Sequence, residues 1–119
     1  MSLKPPRGTA AKPGGPSGLD VFEYELVQEK AYALARMGRR LQVALDALAA
    51  FDAARPERPS PGTPEAEARA ELVGDAGEAL WYYVIQREVC GFRDNETVMR
   101  QLGVPREVRL RMGYRPKKK

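Results

Sequence analysis

Between Asp20 and Phe51 the chain has no proline and repeats small or apolar residues at helical spacing. Val27, Leu34, Leu41 and Leu48 stand seven apart, with Ala31, Gly38 and Leu45 between them. A helix over this stretch is about 50 Å long at 1.5 Å per residue, and it cannot cover an apolar side with itself. Whatever packs on that stripe sets the architecture. The stripe is broadened by Tyr24, Met37, Ala44 and Phe51, which suits the core of a bundle better than a narrow two-stranded seam. Glu25, Glu29, Lys30, Arg36, Arg39, Arg40 and Asp46 fall mostly elsewhere on the wheel and read as a solvated charged side.

The helix is expected to start at Asp20, whose carboxylate can cap free amides at the positive end of the dipole, and to run over residues 20–54. Residues 55–63 carry Pro56, Pro59, Pro61 and Gly62, enough to break the helix and reverse the chain. Thr63-Pro64-Glu65 then reads as an N-cap, a proline in the first turn and an acid on the dipole. The second helix should occupy residues 64–90, burying Leu72, Val73, Ala76, Gly77, Leu80, Tyr83, Val84 and Ile85, with Gly91 as the left-handed stop. Gly38, Gly74 and Gly77 each cost about 1 kcal/mol relative to alanine inside a helix, and two helices crossing closely would offset that cost. Two short helices follow, over residues 95–102 behind Asp94 and over residues 105–112 between Gly103 and Gly113.

The ends differ in kind. Residues 1–18 hold four prolines and four glycines with almost nothing to bury, so they read as a disordered arm. Residues 92–119 carry a net charge of +6 and finish on a basic tail, residues 114–119, whereas residues 65–91 carry −4. Such an asymmetry can mark a nucleic-acid contact or simply aid solubility. The longest apolar run, residues 79–85, is far too short for a membrane span, and no export signal is visible. Cys90 is the only cysteine, which rules out an internal disulfide and suits a reducing cytoplasm.

The available chemistry is narrow. With no histidine in 119 residues, the usual proton shuttle, the commonest metal ligand and every Ser-His or Cys-His pair are missing. Cys90 lies at the negative end of the second helix, where a thiolate is disfavoured, and reads as a small packing residue. Glu25, Glu29, Glu78 and Glu88 lack the imidazoles of a bundle di-metal site. No acidic cation loop, phosphate-cradling loop or dinucleotide fingerprint occurs. No cofactor, metal or catalytic residue is expected.

Two interaction readings remain. In the first, two copies pair through their hairpins, with Trp81 and Tyr82 beside the main stripe contributing to the contact. A core this thin, for about 95 structured residues, makes pairing attractive. In the second, residues 95–112 form a degenerate helix-turn-helix that meets DNA through Arg106, Arg109, Arg111 and Arg115. That motif is imperfect: Met99 stands where a small residue is wanted, Arg109 where an aliphatic one is, and Gly113 stops the second helix early.

The segments Tyr24 to Ala31, Gln86 to Asp94, Val104 to Val108 and Met112-Gly113 resemble a family of short bacterial helical proteins of unknown function, over about residues 19–113. The resemblance implies a small cytoplasmic helical protein and lends no activity or site. The sequence therefore specifies an all-α protein: a long antiparallel hairpin plus two short C-terminal helices, completing a four-helix bundle as a dimer. It is expected to be a non-enzymatic homo-oligomeric interaction or structural module, with DNA binding as the alternative.

Overall fold

The computed structural model describes residues 17–113, and every regular element among them is helical: α1 (Gly18–Ala53), α2 (Pro64–Val89), α3 (Asn95–Leu102) and α4 (Arg106–Leu110). The expected arm lies almost wholly outside the described residues, and the basic tail, with Arg115, lies wholly outside them. No helix among the described residues is long and apolar enough to cross a membrane.

The first helix begins earlier than Asp20. Ser17 is the N-cap: its hydroxyl accepts from the Asp20 amide at 3.1 Å, while the Asp20 carboxylate accepts from the Ser17 amide at 3.3 Å. Asp20 is thus the third helical residue of a capping box, a role open to an acid three positions after a serine. The second helix starts as its sequence dictates, with Thr63 capping the Ala66 amide and Pro64 opening the first turn. Gly91, at φ 94°, ends that run, and Gly103, at φ 67°, ends α3, each in the left-handed region where a side chain is strained. The last helix is shorter than its pattern, because residues 111–113 form a turn rather than continuing α4.

The two long helices run antiparallel in one register. Asp52 meets Arg69, Arg40 meets Glu78, and Gly38 meets Tyr83, pairs whose numbers add to about 120. Leu41, Leu45 and Leu48 of α1 close on Val73, Ala76, Ala79 and Leu80 of α2, and Met99 of α3, Val108 of α4 and Val104 from the turn between them complete the core. Leu41 and Leu80 are fully buried, each contributing about 1.5–3 kcal/mol.

The same register explains what is left bare. Carried on, it sets residues 18–29 opposite positions beyond the end of α2, where the chain has already turned away. Gln86 Nε2 donates to the Lys30 carbonyl at 3.5 Å and the Cys90 thiol to the same oxygen at 3.7 Å, marking where coverage stops. Residues 18–29 project about 18 Å past that point. The molecule is accordingly elongated: its radius of gyration is 20.7 Å, against about 13 Å for a compact 100-residue domain. Among the described residues the stripe is covered from Leu34 onward, and Tyr24, Val27 and Ala31 lie exposed. Ile85 is likewise more exposed than its pattern suggests, and Leu110 and Phe92 also lie exposed.

The glycines divide by partner. A Cβ on Gly38 would sit 3.3 Å from the Tyr83 ring, so this is a close approach of α1 to α2. Gly77 instead faces the C-terminal turn: a Cβ there would lie 2.8 Å from the Arg111 carbonyl oxygen. Gly77→Ala is therefore expected to lower the melting temperature despite its better helix propensity, because a backbone must move. Gly38→Ala should be close to neutral, because a ring can yield; thermal unfolding followed by circular dichroism distinguishes the two.

Candidate interaction surface

The most buried charge among the described residues is one that the sequence does not single out. Arg69 occupies the inner face of α2 one turn before Val73 and is only 8% exposed. Its guanidinium takes both carboxylate oxygens of Asp52 on α1, at 2.8 and 2.9 Å, and both of Glu107 on α4, at 2.9 and 2.6 Å. Arg58, from the connection between the long helices, reaches Glu107 at 3.6 Å. Planar arginine suits this double bidentate arrangement, in which every donated bond is charge-assisted. Hydrogen bonds from Arg69 hold the Asp52 and Glu107 carboxyls below the usual carboxylate range, and Arg69 itself is held more firmly protonated by Glu107 and Asp52.

Two open hollows flank this cluster. One, of about 400 Å³, is lined by Arg58, Pro59, Val73, Glu107, Leu110 and Arg111; the other, of about 430 Å³, by Leu45, Leu48, Asp52, Leu102 and Pro105 among others. Arg69 already shares two anionic partners, so the cluster is a charge-balanced clasp between α1, α2 and α4 rather than an electrostatic trap for an anion.

The residues singled out in the sequence are scattered. Trp81 lies against Gly113, with its ring 3.0 Å from where a Cβ would be. Tyr82 lies under Arg40, whose guanidinium is 5.2 Å from the ring centre and 3.5 Å from Glu78. The two aromatics are each about two-fifths exposed, yet they face different neighbours. Of the arginines in the helix-turn-helix reading, Arg106 is exposed, Arg109 binds Glu96 at 2.7 Å, and Arg111 is half-buried beside Gly77. Cys90 is half-buried in its contact with Lys30 and Gln86. Among the described residues no group of three or more acids or cysteines is arranged to hold a metal ion.

The larger uncovered feature is the projecting end of α1. Leu19, Phe22, Tyr24 and Val27 are each about three-fifths exposed, Leu26 somewhat less, and Val89 and Phe92 lie bare where α2 ends. Isolated exposed apolar residues are ordinary, whereas a run of them on one helix end is not. The sequence pattern held this signal in the excess length of the first stripe over the second.

Arg69→Met, which keeps the aliphatic volume and removes the charge, is expected to cost about 1–2 kcal/mol, less than the loss of a fully buried pair because both carboxylates reach solvent. The folded-state values of Asp52 and Glu107 lie below their unfolded ones, so this stabilisation is present above the ordinary carboxylate range and is lost as pH falls through the depressed values. Melting temperature measured from pH 5 down to pH 2 should fall more steeply in the native chain than in Arg69→Met.

No curated protein and no solved structure matches this chain. A family model described as a family of unknown function, DUF6665, matches residues 10–118. The resemblance read from the helical segments and this match agree, and the chain belongs to that family of unknown function.

Proposed function

We propose that the chain is a non-enzymatic, homo-oligomeric interaction or structural module whose self-association is carried by the projecting end of α1. The observation behind this is the unpaired length of α1: about three helical turns that keep Phe22, Leu26 and Val27 in water although the same helix is well packed from Leu41 to Leu48. Ordering so long an apolar overhang gains little in a single copy, and a second copy brings an equal overhang to cover. The lack of histidine and the charge-balanced state of the Arg69 cluster leave few groups suited to covalent chemistry. A cytoplasmic setting suits the half-buried thiol of Cys90.

DNA binding through residues 95–112 has weaker support, since α4 has five residues and Arg109 is engaged with Glu96. Light scattering coupled to size exclusion at micromolar concentration is expected to give twice the chain mass of 13.2 kDa. The double variant Phe22→Asp/Leu26→Asp should return one chain mass with its helical melting transition retained. A native mass of one chain, or retardation of duplex DNA that added salt abolishes, would refute the proposal.

A further inference from the structure

The charges on α1 are segregated along its length. Residues 18–29 contain Asp20, Glu23, Glu25 and Glu29 with no base, and residues 30–45 contain Lys30, Arg36, Arg39 and Arg40 with no acid. A helix with one acidic and one basic half repels a parallel copy and attracts an antiparallel one. The pattern becomes sharper on one face. At 100° per residue, Glu25, Glu29, Arg36 and Arg40 fall on a strip about 80° wide, roughly opposite the line of Leu41, Leu45 and Leu48 that faces α2. Phe22, Tyr32 and Val43 share this strip, and each is about three-fifths or more exposed.

We infer that α1 pairs with α1 of a second copy along this strip, antiparallel, about a two-fold axis between Tyr32 and Ala33. In that register Glu25 meets the partner's Arg40, Glu29 the partner's Arg36, Phe22 the partner's Val43, and Tyr32 the partner's Ala33. Every pair adds to 65, as an isologous contact requires: if residue i meets j, then j meets i. A large ring falls opposite a small side chain at the axis, and each ion pair occurs twice. The spacing of three and four residues along the strip is that of a coiled-coil seam, in which flanking charges choose orientation and register. Arg40 is already held out along the surface by Tyr82 and Glu78. The same flank carries the open groove of about 270 Å³ lined by Val43, Ala44, Ala47, Leu72 and Ala79, beside which Leu19 and Leu26 of the second copy would lie.

This inference rests on self-association, and its test separates the two. With Cys90→Ser to remove the native thiol, a spin label on Gln42→Cys in the full chain reports the distance between copies. The antiparallel register places the labelled backbones about 30 Å apart along the helix axis, against about 10 Å lateral spacing for a parallel pair and about 55 Å for overhang packed only on overhang. A distance near 30 Å supports the register. A dimer at either other distance overturns it while leaving self-association standing, and a single-chain mass overturns both. Glu29→Arg and Arg36→Glu should each raise the dimer dissociation constant at least about fivefold. The two together in one chain should restore it to within about twofold of the native value, and failure of that rescue refutes the pairing.

Discussion

The whole arrangement depends on a mismatch of lengths. A helix of 36 residues lies against one of 26, and the pairing is anchored at the end where the chain reverses, by the clasp of Asp52 and Arg69. With that end fixed, the surplus has only one place to go, so the opening turns of α1 extend past the point where α2 stops. The core then concentrates at the closed end, where Leu41, Leu45 and Leu48 meet α2 and the short helices with the turn between them supply Met99, Val104 and Val108. One end of the molecule resembles the interior of a small domain. The other, among the described residues, is a single helix with exposed apolar side chains.

Arg69 gives the closed end its particular shape. A buried guanidinium is costly to desolvate, and only full hydrogen bonding offsets that cost. Here the partners come from two other helices, Asp52 from α1 and Glu107 from α4, so the pairing fixes α4 as well as the hairpin. An aliphatic residue at this position could fill the space but would not select which acid from which helix comes to rest there. Gly77 acts with it, allowing the Arg111 backbone to lie directly on α2.

Much of the helical framework was legible because its signals are local. Thr63-Pro64-Glu65, Asp94 and Gly103 act within a few residues of themselves, and each begins or ends a helix as its chemistry dictates. The start of α1 was misplaced because Ser17 and Asp20 cap reciprocally, and the acid alone was read as the cap. The Arg69 clasp was not legible: its partners stand 17 and 38 residues away, and an arginine in an apolar stripe looks like an interruption until the helices are set side by side. Gly77 reads in the sequence as a crossing of two helices, whereas its close neighbour is the C-terminal turn rather than a helix. Periodicity shows that a face is apolar but not how far along it a partner extends, which is why Val27 was grouped with Leu41.

The turn at residues 111–113 has a practical consequence. Trp81 is the only tryptophan in the chain, and its ring lies against the backbone at Gly113, two residues beyond the carbonyl that rests on Gly77. Its indole emission therefore reports the seating of this last turn on α2, so detachment of the C-terminal segment can be followed optically, apart from the melting of the long helices and without an added dye.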